Sequence, residues 1–119
     1  MHKIILSGNL TRDPELKQTS GSGITYCSFS IAVNRWEGNK KVADFYNVTA
    51  WRNVGESIHK NFKKGDKILI FGEISLRKAE KNGEKKLYID ITANDYEIIK
   101  RKTYNKPEAS TTNIDNIED

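Results

Sequence analysis

Apolar and polar residues alternate along most of this chain with a period of two. Between Ile24 and Arg35, Cys27, Phe29, Ile31 and Val33 are separated by Ser28, Ser30, Ala32 and Asn34. That spacing predicts a long strand with one buried face. Asp44 to Arg52 alternates too: Tyr46, Val48 and Ala50 point one way, and Phe45, Asn47, Thr49 and Trp51 the other. Ile68, Ile70, Gly72, Ile74 and Leu76 form a further row, and Leu87, Ile89, Ile91 and Ala93 another. With Lys3 to Gly8 in front, five strands are expected.

The segment from Asn53 to Asp66 breaks this rhythm. Val54, Ile58 and Phe62 recur at four-residue steps, Asn53 can cap the start, and Lys63-Lys64-Gly65 supplies a basic last turn and a stop. One short amphipathic helix is predicted there. Lys81-Asn82-Gly83-Glu84 lies between two strand patterns, and its Asn-Gly pair favours a tight turn with positive φ at both central residues. The last two strands therefore form an antiparallel hairpin. Leu10 to Gly23 and Trp36 to Ala43 are polar and read as longer loops. Strand, strand, strand, helix, strand, strand is the order of an all-β Greek-key barrel of OB type with one helix. Another five-stranded meander or an SH3-like barrel is the alternative; the helix after the third strand favours the OB fold.

Composition narrows the picture. A chain of 119 residues accommodates one domain, expected over residues 1–102. After it the sequence turns to Asn, Ser, Thr and acids with isolated Ile114 and Ile117. That is too little apolar surface to offset ordering, so residues 103–119 read as a short flexible acidic tail. The net charge is +4. Residues 107–119 hold four acids and no base, so 1–106 carry 20 − 12 = +8. A basic body suits a polyanionic partner, although charge alone equally fits an ordinary soluble surface. No apolar run approaches a membrane span or a secretory signal. Cys27, the one cysteine, can form neither an internal disulfide nor a zinc site, which fits a reducing cytoplasm.

Phe45 and Trp51 are the sharpest candidates for chemistry. Six residues apart, they share the face that carries Asn47 and Thr49, opposite an apolar row that already supplies the core. Bases stack on aromatics exposed in this way; a subunit contact is the competing use. Leu69 and Phe71 share the outward parity of the next strand and read as protein contact. Arg77, Lys78, Lys81, Lys85 and Lys86 make the last hairpin a basic finger, while Arg12, Lys17, Arg35, Lys40, Lys41 and Arg52 fall on loops or strand ends. Basic loops around an aromatic sheet face suit single-stranded nucleic acid. His2 and His59, the only histidines, have no neighbouring nucleophile or ligand pattern, and Gly21-Ser22-Gly23 precedes a strand, not a helix. No enzyme site, metal site or cofactor is expected.

Several blocks then resemble a known family. Ile4-Ile5-Leu6-Ser7-Gly8-Asn9-Leu10 followed by Asp13-Pro14-Glu15, Phe29 to Arg35, Asp44-Phe45, Trp51-Arg52, Phe62-Lys63-Lys64-Gly65 and Gly72 resemble bacterial-type single-stranded DNA-binding proteins over about His2 to Ile99. The resemblance implies an OB-fold homotetramer that binds unpaired DNA in replication, recombination and repair, with Phe45 and Trp51 at base-stacking positions. It further implies subunit contact along Lys3 to Ser7, and a stacking role for Trp36 in the loop after the second strand. Relatives often place an aromatic where Ala79 stands here, a role that Tyr88 partly fills. Their acidic tip, at the end of a long linker, closes on Pro-Phe; this chain ends Ile114-Asp115-Asn116-Ile117-Glu118-Asp119 without that aromatic, which implies weak or altered recruitment of replication or recombination partners, and so short a tail resembles a phage or mobile-element version. The DNA-binding set expected from residues and resemblance together is Arg12, Arg35, Trp36, Phe45, Trp51, Arg52, Arg77, Lys78, Lys81, Lys85, Lys86 and Tyr88. An OB-fold RNA-binding or primosome-like module, or a protein-interaction module using the same aromatic patch, would carry similar features.

Overall fold

The computed structural model describes residues 1–100, so the expected tail lies outside the described residues. Its elements are β1 (Lys3–Leu10), β2 (Glu15–Gln18), β3 (Thr25–Glu37), β4 (Lys40–Trp51), α1 (Arg52–Asn61), β5 (Lys67–Lys81) and β6 (Glu84–Lys100). β1 pairs with β5, β5 with β6, β6 with β4, β4 with β3, and β3 with β1 at Asn9–Ala32 and Leu10–Ile31. Five strands thus close a ring. All contacts are antiparallel except β4–β6, which is parallel at Val48–Ile91 and Thr49–Thr92. With α1 joining the third and fourth ring strands, this is the OB fold expected from the sequence.

The alternating rows fill the barrel. Cys27, Phe29, Ile31, Val48, Ala50, Ile68, Ile70, Ile91 and Ala93 are buried, joined by Leu6, Leu10, Ile58 and Phe62. A large side chain such as Phe29, wholly buried, contributes roughly 1.5–3 kcal/mol relative to exposure. Ring closure requires Gly8. A Cβ there would lie 2.5 Å from the Ala32 carbonyl oxygen across the β1–β3 seam, so any other residue pushes the seam apart.

Hydrogen bonds join the chain's separated sequence blocks. Asn9 Nδ2 donates to the Gly65 carbonyl (3.0 Å), and the Lys64 amide donates to Asp13 Oδ1 (2.8 Å). The Lys63 amide donates to the buried Asp66 carboxylate (2.8 Å). Leu10 and Gly65 complete the knot through backbone bonds, Leu10 N–H to Asp66 O and Gly65 N–H to Leu10 O. Gly8-Asn9-Leu10, Asp13 and Lys63-Lys64-Gly65-Asp66 are therefore architectural: together they lock the end of the first strand to the turn after the helix.

The structure corrects four expectations. Leu10 to Gly23 contains a strand, β2, which pairs with β3 from Glu15–Ser28 to Gln18–Thr25. It carries one apolar residue, Leu16, and its four residues are all exposed, so it has no alternation to betray it. Trp36 to Ala43 is not a long loop; β3 and β4 continue to Glu37 and Lys40 around a two-residue turn in which Gly38 has φ 64°. The helix starts at Arg52, with Trp51 at the cap position and no side-chain cap bond, and ends at Asn61. Asn53 therefore lies inside it, and Lys63 and Lys64 lie beyond it. Leu76, Leu87 and Ile89 follow the core parity yet are 54 %, 58 % and 57 % exposed, because the β5–β6 hairpin runs on past the last β4–β6 contact and has no layer opposite. The Asn82-Gly83 turn forms as expected, with φ 54° and 81°.

Candidate nucleic-acid interface

The continuous β3–β4 register decides which side chains share the outer face. Tyr26 stands opposite Trp51, Ser28 opposite Thr49, Ser30 opposite Asn47, Ala32 opposite Phe45 and Trp36 opposite Lys41. Paired residues in antiparallel strands project to the same side. Trp36, Phe45 and Trp51 therefore belong to one face, with small polar residues between them. Trp36 and Phe45 are each 68 % exposed and Trp51 40 %. Trp51 is flanked by its cross-strand neighbour Tyr26, with ring centroids 5.0 Å apart and planes at 40°. Sequence reasoning missed Tyr26, although its parity with Ser28 and Ser30 could have revealed it.

The same face continues onto the second hairpin. Thr92 lies beside Thr49 on the parallel contact. From Thr92, alternate residues Asp90, Tyr88 and Lys86 share its side and stand opposite Ser75, Arg77 and Ala79. Lys81 and Glu84 close that row at the tip. Lys78 and Lys85 lie on the opposite side, with Leu76, Leu87 and Ile89.

Arg35 is likewise on the other side of its ribbon from Trp36. Opposite Val42, it reaches diagonally to Asp44, Nε to Oδ2 at 2.6 Å, and its Nη1 lies 3.6 Å from Glu37. The hydrogen bond to Asp44 raises the Arg35 pKa further. Arg77 makes the matching diagonal bond to Asp90 on the outer side. Its Nε and Nη2 donate to the two carboxylate oxygens at 3.0 and 3.3 Å, and its guanidinium carbon sits 4.7 Å from the Tyr88 ring centroid. The Arg77 bond holds the Asp90 carboxyl below its ordinary range. Neither carboxylate was anticipated, because the pairings depend on strand register.

Arg52 is exposed beside Trp51, at the start of α1, with φ 54°. Arg12 is exposed just after Thr11, whose amide donates to the Ser30 carbonyl at the edge of β3. Lys40, Lys41, Lys81 and Lys86 are exposed at the two hairpin ends. Among the described residues no His, Cys, Asp and Glu cluster suits a metal ion. Cys27 is a wholly buried core thiol, its pKa pushed up to about 11 by burial and then by Glu15.

A second surface differs in kind. On β1 and β5, Ile5 stands opposite Phe71 and Ser7 opposite Leu69. Ile5 is 66 % and Phe71 37 % exposed, and β1 from Lys3 to Gly8 has one edge without a strand among the described residues.

A closed OB barrel with an aromatic, cation-rimmed sheet face has the layout of a nucleic-acid-binding protein. Comparison with known proteins narrows this to one family. The profile of the single-strand binding protein family matches residues 1–99, and the chain belongs to that family. Single-stranded DNA-binding protein 2 of Listeria monocytogenes is 30% identical over 120 residues, covering 98% of this chain and 74% of the relative. The single-stranded DNA-binding protein of Fusobacterium nucleatum is 36% identical over 127 residues, covering 95% and 82%. Among solved structures, the Plasmodium falciparum SSB complex with ssDNA superposes with a TM-score of 0.69 at 25% identity, over 84% of this chain and 94% of that one. By family this is a binding protein and not an enzyme. No helix among the described residues is long and apolar enough to cross a membrane.

Proposed function

We infer that this protein binds single-stranded DNA without sequence preference, in the service of replication, recombination and repair. The observation that carries this reading is the line of Trp36, Phe45 and Trp51 on one exposed sheet face. Each aromatic offers a flat apolar surface to an unpaired base whatever its identity. Arg12, Lys41, Arg52, Lys81 and Lys86 supply phosphate contacts around it. Arg77 and Tyr88 lie on that face as well. Lys78 and Lys85 take part from the hairpin's other side if the strand wraps the tip, and Arg35 follows only after leaving Asp44. Work on unpaired DNA, together with a reduced core thiol, carries a cytoplasmic location with it.

Titration of oligo-dT against intrinsic fluorescence tests this directly, because Trp36 and Trp51 are the only two tryptophans. Strong quenching that weakens as salt rises is expected. Unchanged fluorescence with no binding by a second method would overturn the reading.

The protein self-associates, with the homotetramer as the expected form. The Ile5 and Phe71 surface and the open β1 edge support this, since both are costly to leave in water. Sedimentation showing only a 13.6 kDa species at micromolar concentration would exclude it. Acidic residues of 107–119 are the proposed contact for replication or recombination proteins.

A further inference from the structure

We propose that Arg77, Tyr88 and Asp90 form a separate base-stacking subsite, in which Asp90 is a positioning residue that converts Arg77 from a phosphate clamp into a planar, charge-neutralised stacking surface. This rests on the single-stranded DNA reading and specifies how one part of the face works.

The geometry fixes the guanidinium twice. Its Nε and Nη2 edge is bonded side-on to both Asp90 oxygens at 3.0 and 3.3 Å, and its guanidinium carbon lies over the Tyr88 ring, 4.7 Å from the centroid. A guanidinium held by an edge and one face keeps two things free, its second face and its Nη1 edge. The Arg77 and Asp90 side chains are 57 % and 46 % exposed and Tyr88 is 40 % exposed, so that second face is open to a ligand. Unstacked bases pack on guanidinium planes as they do on aromatic rings. The partnership also cancels the charge that would otherwise attract phosphate, and Lys81 and Lys86, on the same side of the hairpin, are left for that task. The subsite lies on the side that Thr49 and Thr92 connect to the Phe45 and Trp51 row, so one strand can run from those aromatics onto the hairpin. The matching Arg35–Asp44 pair has no such role, because Arg35 faces away from Trp36 and stands opposite Val42.

The salt dependence of binding separates a stacking arginine from a phosphate-binding one, since each phosphate neutralised on a single strand contributes about 0.7 to the slope of log K against log salt. The probes are oligo-dT and an abasic oligodeoxynucleotide of equal length. The double variant Arg77→Ala with Asp90→Ala, which removes the pair without leaving a lone carboxylate on the face, is expected to weaken oligo-dT binding at least about five-fold while leaving abasic binding and the salt slope unchanged. Arg77→Lys, which keeps the charge and loses the plane, should fail to restore oligo-dT affinity. Asp90→Asn should steepen the slope by about 0.7 as an uncancelled cation meets phosphate, and narrow the gap between the two probes. Lys86→Ala is the reference, lowering the slope and weakening both probes alike. The proposal is overturned if the double variant behaves like Lys86→Ala, or if it changes neither probe. Failure of the wild-type protein to bind oligo-dT would instead remove the single-stranded DNA reading itself.

Discussion

The two hairpins that extend from the barrel, β3–β4 and β5–β6, use the same parts in opposite arrangements. Each turns on two residues, with Gly38 in one and Asn82-Gly83 in the other, and each carries a diagonal arginine–aspartate pair. In β3–β4 the pair lies behind the ribbon, and Trp36 and Phe45 stand alone in front. In β5–β6 the pair lies in front, against Tyr88. A one-residue change in parity therefore decides whether an arginine–aspartate pair is parked behind the outer face or set on it. The first hairpin offers bare aromatics, and the second a composite of lower aromatic content with lysines at its tip.

This contrast predicts unequal losses. Trp36→Ala and Trp51→Ala should each weaken single-stranded DNA binding by about 1–3 kcal/mol, as expected for removal of one stacking partner. Trp51→Ala should also lower stability, because Tyr26 loses its ring contact, a pair worth about 0.5–1.5 kcal/mol. Trp36 has no aromatic ring contact among the described residues, so its variant should melt like the wild type. Fluorescence titration and thermal melts check both; a Trp36→Ala protein that binds normally would remove Trp36 from the stacking row.

How much of this could be seen in the sequence follows from what parity does and does not say. Alternation identified Phe45 and Trp51 as outward and Val48 and Ala50 as inward, because this end of β4 has the barrel core on one face and solvent on the other. It also assigned Leu76, Leu87 and Ile89 to the core side, correctly in direction and wrongly in depth. Period two reports which way a side chain points, and nothing about where the neighbouring layer stops. Trp36 was recognised as an aromatic candidate on a loop; only the continuous pairing to Glu37–Lys40 puts it in line with Phe45. The diagonal pairs of Arg35 with Asp44 and Arg77 with Asp90 depend on the register of two strands at once, which no single-strand pattern contains.

A smaller effect concerns the tail and the free cations of the two hairpins. Residues 107–119 carry four carboxylates on the same chain as a region of net +8, and those carboxylates are expected to compete with phosphate for cations such as Lys40, Lys41, Lys81 and Lys86. Deleting 107–119 should tighten binding at low salt, with the gain fading as the Debye length falls from roughly 30 Å at 0.01 M toward 3 Å at 1 M. Unchanged affinity across that series would leave the tail as a partner-binding or solubilising segment. The paired arginine of the first hairpin should respond differently from its lysines. Lys41→Ala should lower the salt slope by about 0.7, and Arg35→Ala should leave it where it was; equal slopes for both variants would mean that Arg35 abandons Asp44 for DNA.

The smallest expected effect is a pH dependence in the second hairpin. The Asp90 carboxyl is held below its ordinary range by its bond to Arg77. In the folded protein it stays ionised at pH values where the unfolded chain has begun to bind a proton. A depressed carboxyl therefore contributes stability that is present above its unfolded value and is lost as pH falls through its folded value. Because Asp90 and Arg77 are exposed to solvent, which screens the pair, the contribution is slight and best read as a difference. Asp90→Asn should melt a little below the wild type at pH 7, and the two curves should converge as pH is lowered below the ordinary carboxylate range of about 4. Other acids titrate in both proteins and cancel in the comparison. A gap that persists unchanged at low pH would show that Asp90 supports the hairpin through shape or hydrogen bonding to its neutral form, and would remove the ion pair as the reason Arg77 sits over Tyr88.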